Sequence, residues 1–151
     1  MANEKQSIRR IDDGLAIDHL DPSVTWKVAR LLKLEEHDGR VSLGNRYDSQ
    51  KLDGGKKGFL KIEGRKLSSY EINLIALVAP NATVNIISGG KIVEKRNVEI
   101  PGVLEGIVAC ANNGCVSNRS TEKFPSKIYY SNGVFRCHYC RHGFYRGDID
   151  L

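Results

Sequence analysis

Four cysteines fall within one short stretch of the chain. Cys110 and Cys115 have four residues between them, Cys137 and Cys140 have two, and 21 residues separate the pairs. Short loops of this kind point two thiolates at one metal ion, and two such loops complete a tetrahedron. One structural Zn²⁺ per chain, held by Cys110, Cys115, Cys137 and Cys140, is therefore expected. Four sulfur ligands leave no open coordination position, so such a centre organises the chain and does not catalyse. A pair of disulfides is the alternative, and it needs an oxidising compartment. The opening residues Met1-Ala2-Asn3-Glu4-Lys5-Gln6 contain no apolar signal core, which makes the cytoplasm the expected location. His138 and His142 flank the second pair, where a supporting or surface role is expected.

Two further groups of residues can do chemistry. Asp18-His19, Lys61, Asn85 and Lys95 lie on or just after expected strands. Lys61 sits between Leu60 and Ile62 and must face away from both. That face either binds an anion or is an ordinary solvated one. The other group is Phe135, Arg136, Tyr139, Arg141, Phe144, Tyr145 and Arg146. Basic and aromatic residues interleaved around a zinc ribbon suit RNA, and the same types are enriched where proteins dock, with Tyr139, Phe144 and Tyr145 as anchors. Gly54-Gly55-Lys56-Lys57-Gly58 matches no phosphate-binding motif and reads as a hairpin turn. No Ser/His/Asp set, close carboxylate pair or nucleotide-fold glycine motif is evident.

The elements that must position these groups follow from patterning. Residues 8–20 read as a strand broken at Asp12-Asp13-Gly14. Asp21-Pro22 opens a helix with Asp21 as its cap, and Val24, Val28, Leu31 and Leu32 form its apolar stripe. Trp26 points away from that stripe, as a partly exposed cover or a subunit contact. Strands follow at 40–47 and 59–63. Ser68 and Glu71 make a capping box for a helix that ends at Pro80. Two more strands flank Gly89-Gly90. The order is β-α-β-β-α-β with one added strand, and the pattern breaks at Pro101-Gly102. The expected fold class is α+β: a ferredoxin-like split βαβ domain over 1–100 and a small zinc-ribbon-like β domain over 101–151. The chain has 151 residues and a formal charge of +5, a modest preference for anionic partners. No apolar run is long enough to span a membrane.

These residues resemble the family of aspartate carbamoyltransferase regulatory chains. The stretches that carry the likeness are Gly14-Leu15-Ala16-Ile17-Asp18-His19-Leu20-Asp21-Pro22, Leu60-Lys61-Ile62-Glu63, Ala79-Pro80-Asn81-Ala82-Thr83-Val84-Asn85 and the cysteine spacing. The resemblance covers nearly the whole chain, loop 46–58 excepted. It implies a non-catalytic, allosteric subunit acting in pyrimidine biosynthesis. The N-terminal domain would bind nucleotide triphosphates such as CTP and ATP, and the zinc domain would dock onto the catalytic chain. The chains would pair as regulatory homodimers. Carried over position by position, the nucleotide site would comprise Arg10, Ile11, Asp18, His19, Lys61, Asn85, Ile87, Ile92 and Lys95. Lysines would meet phosphate and ribose, Asp18 the ribose hydroxyls, and the apolar residues the base. Ala111 stands where the family often has proline, and Gly89-Gly90 where it has Asn-Tyr beside the base, so base selectivity is expected to differ. Ile92 and Lys95, three apart, share a strand face only if a bulge intervenes. A zinc-ribbon protein that binds RNA or DNA and a small enzyme are the competing readings.

Overall fold

The computed structural model describes residues 11–52, 54–119 and 125–151. The chain forms two compact units, one running to Glu99 and the other starting at Ile100. No helix among the described residues is long and apolar enough to cross a membrane.

The first unit is a five-stranded sheet with helices on one face. Its strands are β1 (Gly14–Leu20), β2 (Val41–Asp48), β3 (Lys56–Glu63), β4 (Thr83–Ser88) and β5 (Lys91–Asn97), and its helices are α1 (Thr25–Leu31) and α2 (Ser69–Val78). The sheet order is β2-β3-β1-β4-β5, with every neighbouring pair antiparallel. This is the split βαβ arrangement, with β3 inserted between the two crossover strands and β5 added at an edge. Alternation along the strands separates the two faces. Leu15 pairs with Ile62 and Ile86, and Ile17 with Leu60 and Val84. Leu15, Ile17, Leu60 and Ile62 are fully buried, as are Val28, Ile75 and Leu77 from the helical segments. Each such side chain contributes roughly 1.5–3 kcal/mol by leaving water.

Local sequence explains the helix ends. Ser68 Oγ accepts the Glu71 amide and Glu71 Oε1 accepts the Ser68 amide, at 3.1 Å each, so the capping box forms at the start of α2. Arg65 also bonds the Glu71 carboxylate. At α1 the outcome differs from expectation. The helix begins only at Thr25, with Val24 at the cap position and no side-chain cap. Asp21 is occupied one turn earlier, accepting both the amide (2.9 Å) and the hydroxyl (2.7 Å) of Ser23. Thr25, fully buried, instead donates to Asn45 Oδ1 at 2.8 Å and ties α1 to β2. This contact needs Gly58, since a Cβ there would lie 1.8 Å from Thr25 Oγ1.

The turn expected at 54–58 is shorter than its glycines suggest. β3 already starts at Lys56, so Lys56, Lys57 and Gly58 are strand residues. The second hairpin turns at Gly89-Gly90, both with positive φ (60° and 76°). The Gly90 amide donates to the Asp12 carbonyl (2.8 Å) and the Gly89 amide to Asp13 Oδ1 (3.2 Å), which fastens this turn to the approach of β1.

The second unit is a four-stranded antiparallel sheet in the order β6-β7-β8-β9, comprising β6 (Val103–Glu105), β7 (Lys127–Ser131), β8 (Val134–Cys137) and β9 (Gly143–Phe144). Its buried apolar side chains are Leu104, Val108, Ile128, Phe135 and Phe144, together with cysteines. A core this small is insufficient to hold an isolated module without a further staple.

Candidate functional site

Strand register brings the singled-out residues of the first unit together. Residues paired across a ladder point to the same face. Ala16 pairs with Lys61 on one side and Asn85 on the other, and Asn85 pairs with Lys95. Asp18 pairs with Thr83, and Ile87 with Ile92. Asp18, Lys61, Asn85, Ile87, Ile92 and Lys95 therefore share the face turned away from the core. Ile92 belongs with Lys95 because β5 is bulged there. Ile86 opposes Glu94 and Ile87 opposes Ile92, which leaves Val93 as the extra residue. The small Ala16 at the centre leaves this face open.

His19 sits at an irregularity within β1. Its φ of 60° follows a register shift at the end of β1, and the turn swings the ring so that Nδ1 meets Thr83 Oγ1 at 2.9 Å. Asp18 Oδ1 accepts the His19 amide at 2.7 Å, and its carboxylate pairs with Lys57 Nζ at 3.0 Å. Lys61 and Lys95 have no acidic partner among the described residues. Burial lowers the His19 pKa, and the charges of Lys51, Lys57 and Lys95 lower it further, against an upward pull from Asp18. Asn85 is 8% exposed, and its Oδ1 has no hydrogen-bond donor. A buried orphan acceptor costs roughly 1–3 kcal/mol, a cost that a donor on a ligand removes. Ile11 is buried, next to Asp12, whose carbonyl holds the Gly89-Gly90 turn. Arg10 lies outside the described residues.

Lys57 and Thr83 belong to this group and were not singled out from sequence. Lys57 lies four residues before Lys61 on one strand, so period two puts both on the same face. The signal was present, but the glycines around it suggested a turn. By contrast, the cleft lined by His37, Glu63, Arg65 and Glu71 is internally satisfied. His37 bonds the Glu63 carbonyl at 2.5 Å, and Arg65 bonds Glu71.

In the second unit the four cysteine sulfurs lie within 4.8 Å of one another. Cys110 and Cys140 are 3.6 Å apart, as are Cys115 and Cys137. Tetrahedral bonds of about 2.3 Å give sulfur–sulfur edges of about 3.8 Å, while a disulfide requires about 2.05 Å. All four cysteines are free, so the donor set fits a metal. The Asn112 amide reaches Cys110 Sγ at 3.4 Å, and Asn112 Nδ2 reaches Cys140 Sγ at 3.6 Å. Asn118 Nδ2 donates to the Cys110 and Asn112 carbonyls, which pins the first loop. Burial is the main cause that pushes the Cys110 thiol up to about 12 and also raises Cys137. At Cys140 burial works upward too, but bonds from the His142 amide, Asn112 and the neighbouring thiols outweigh it and hold the group at about 7. Four crowded thiols cannot all ionise without a cation among them.

His138 and His142 do not join this cluster. His138 Nδ1 meets Tyr129 Oη at 2.7 Å, and His142 stacks on Phe144. The basic and aromatic group also separates. Phe135 and Phe144 are core residues that stack at 5.8 Å, so Phe144 is not an exposed anchor. Arg136 Nη1 is bound to the Arg141 carbonyl at 2.9 Å. Tyr139 donates to the Pro125 carbonyl, and Tyr145 remains exposed at 66%. Alternation along β8 turns its aromatic residue inward and its arginine outward, so no continuous stacking surface results.

The sequence profile described as "Aspartate carbamoyltransferase regulatory chain, allosteric domain" matches residues 6–99. The profile for the metal binding domain of the same chain matches residues 102–150. A relative named aspartate carbamoyltransferase regulatory chain from Pyrococcus abyssi is 45% identical over 138 residues, covering 88% of each chain. One of the same name from Porphyromonas gingivalis is 38% identical over 141 residues, covering 93% of this chain and 92% of its own. Another, from Ignicoccus hospitalis, is 41% identical over 137 residues, covering 88% and 87%. The second unit is thus a metal-binding domain whose four sulfurs are arranged for a structural ion.

Proposed function

This chain belongs to the family of aspartate carbamoyltransferase regulatory chains, and on that premise we propose that it transmits the binding of a nucleoside triphosphate to the catalytic chain with which it associates. It is a non-catalytic subunit of the pyrimidine pathway. The nucleotide occupies the open face of the five-stranded sheet. The observation that carries this reading is the bulge at Val93, which sets Ile92 and Lys95 beside Asp18, Lys61, Asn85 and Ile87. Ile87 and Ile92 offer an apolar seat for the base, and the orphan Asn85 Oδ1 suits a donor such as an exocyclic amine of cytosine or adenine. Lys61 and Lys95 lack acids of their own and meet phosphate and ribose, and the Asp18 carboxylate, which also holds Lys57, accepts from the ribose hydroxyls.

The ion of the second unit is zinc. Four thiolates favour a borderline-soft, tetrahedral ion without redox chemistry. That ion gives the small core its order, and the ordered unit docks onto the catalytic chain with Tyr145 as its exposed aromatic anchor.

Two copies pair through β2. The sheet ends in β2 on one side and β5 on the other. β5 carries Lys91, Lys95 and Arg96, the kind of charged edge that resists pairing. β2 borders a mostly apolar hollow of about 290 Å³ lined by Trp26, Ala29, Leu34, Val41 and Leu43 together with Arg30 and Glu35, where Trp26 is 59% exposed. A second copy covers both the edge and this patch.

The test uses the full chain with its catalytic chain. Zinc-replete chain is expected to assemble and make carbamoyltransferase activity respond to CTP or ATP. Zinc-stripped chain is expected to bind nucleotide and fail to assemble. Assembly and regulation that persist without zinc would overturn the docking role, and activity indifferent to every nucleotide would overturn the allosteric one.

A further inference from the structure

Asn113-Gly114 lies between the first two cysteines, and Asn132-Gly133 forms the turn between β7 and β8. An asparagine followed by glycine is prone to attack by its own chain, because no Cβ shields the next backbone nitrogen. The glycine nitrogen gives its proton to solvent and bonds to the asparagine Cγ, and ammonia leaves. Water then opens the cyclic imide to aspartate or to isoaspartate, in which the side-chain carbon has entered the main chain.

The two pairs differ in what the fold asks of them. Asn132 and Gly133 have φ of 49° and 85°, and Ser131 pairs with Val134 across them, so a two-residue turn demands residues of this kind. Gly114 has no such angle, and an added Cβ would meet only Asn112 Oδ1 at 3.5 Å, an ordinary contact. Glycine at 114 is therefore not a requirement of the backbone.

Asn113 is exposed, while the groups around it are held. The Gly114 amide donates to Asn112 Oδ1 at 3.0 Å, and the Cys115 amide donates to the Asn112 carbonyl at 3.0 Å. Asn112 itself donates from its backbone to Cys110 Sγ and from Nδ2 to Cys140 Sγ. Asn112 thus ties the Gly114 nitrogen to sulfurs of both cysteine pairs. A metal ion fixes those sulfurs, and they fix Asn112. A bonded amide keeps its proton, and a pinned peptide does not swing onto the neighbouring Cγ.

We propose that Asn113 is a modification site: the metal-bound loop preserves it as the amide, and loss of the ion frees it to deamidate, which makes that loss irreversible. The inference rests on the structural-zinc reading above and adds a covalent step to it. The product places a carboxylate three residues from Cys110 and two from Cys115. Four thiolates already carry more negative charge than a divalent ion cancels, so a further anion opposes rebinding. Isoaspartate also lengthens the loop that sets the spacing of these two ligands.

In the experiment the isolated full chain is kept at neutral pH with its thiols reduced, either zinc-replete or zinc-stripped. Peptide mapping by mass spectrometry reads deamidation at 113 and 132. Stripping is expected to speed the reaction at Asn113 by roughly 5- to 30-fold, the factor for losing one or two modest hydrogen bonds. Gly114→Ala is expected to suppress it in the stripped chain. Zinc-replete Asn112→Ala is expected to react faster than wild type at Asn113 and no faster at Asn132. Zinc is then returned. Freshly stripped wild type and aged, stripped Asn113→Ser are expected to regain the ion, whereas aged, stripped wild type regains it only in its undeamidated fraction. Equal rates at Asn113 with and without zinc would overturn the guarding role of the loop, and equal acceleration at 113 and 132 in Asn112→Ala would overturn the part given to Asn112. Deamidated chain that takes up zinc as Asn113→Ser does would overturn the irreversibility. A fresh chain that binds no zinc would remove the structural-zinc reading and this one together.

Discussion

Ile92 and Lys95 stand three residues apart on β5 and face the same way. Val93 is unopposed on β4, so the strand gains a residue between them and the alternation resets. One edge strand thus presents an apolar group and a cation to the same open face, which a regular strand cannot do at this spacing.

Lys61 and Lys95 on that face lack an acidic partner among the described residues, so each is available to a phosphate. Lys61→Ala and Lys95→Ala are each expected to weaken triphosphate binding by about 1–3 kcal/mol, the range for a hydrogen bond to a charged group. Calorimetry on the full chain checks this. Variants that bind like the wild type would take both residues out of the site.

His19 is expected to make nucleotide binding depend on pH. Burial and the nearby lysines hold its folded pKa below the ordinary value, so the neutral ring is favoured. Its contribution to folding is present above pH ~6.5 and is lost as pH falls through the lowered value. A bound phosphate adds negative charge and raises that value again. Proton uptake on binding is therefore expected at pH values just above that of the free site. Binding enthalpies measured in two buffers of different ionisation heat should diverge in the wild type and less in His19→Ala. Agreement between buffers in both proteins would count against any contact between His19 and phosphate.

The metal centre predicts opposite pH responses with and without its ion. Burial raises the Cys110 and Cys137 thiols, so the metal-free unit favours protonated sulfur. The contribution of these two thiols to its stability is present below the ordinary thiol range and falls as pH rises through the raised values, while the lowered Cys140 works in the opposite direction. The metal-bound unit needs four thiolates and loses its ion as pH falls. Chelation at neutral pH is expected to unfold 100–151 and leave 11–99 folded. Limited proteolysis and near-ultraviolet circular dichroism distinguish the two units. A second unit that keeps its fold after complete chelation would show that its core suffices.

Pairing through β2 predicts a monomer when its apolar patch is made polar. Trp26→Ser combined with Val41→Asp alters exposed side chains (59% and 38% exposed) and should leave the fold intact. Sedimentation of the isolated full chain is expected to shift from dimer to monomer. A dimer that survives both changes would place the contact elsewhere, with β5 as the remaining edge.

What the sequence disclosed was whatever depends on near neighbours. The Ser68/Glu71 box closes within one helical turn, and the cysteine pairs sit on short loops, so spacing alone was informative. The position of Lys57 was harder to read because two glycines precede it and the strand starts between them and it. The bulge at Val93 is a property of pairing with β4 and has no signature within β5. Phe135 and Phe144 looked like an outward group because composition says nothing of direction. Asp21 missed the helix start because Ser23 is a closer partner for its carboxylate.

The Gly89-Gly90 turn has a consequence for how this protein can change over generations. Both residues adopt left-handed backbone angles, and a Cβ at Gly89 would have no atom within 4 Å. Space is not what restricts the position. The backbone angle alone filters what can replace glycine, and asparagine or aspartate passes that filter most easily. The amides that hold the turn to Asp12 and Asp13 belong to the backbone and survive such a replacement. A single substitution can therefore add a polar group at this corner without repacking a neighbour, and the glycine pair is a point of low mutational resistance in an otherwise interlocked sheet.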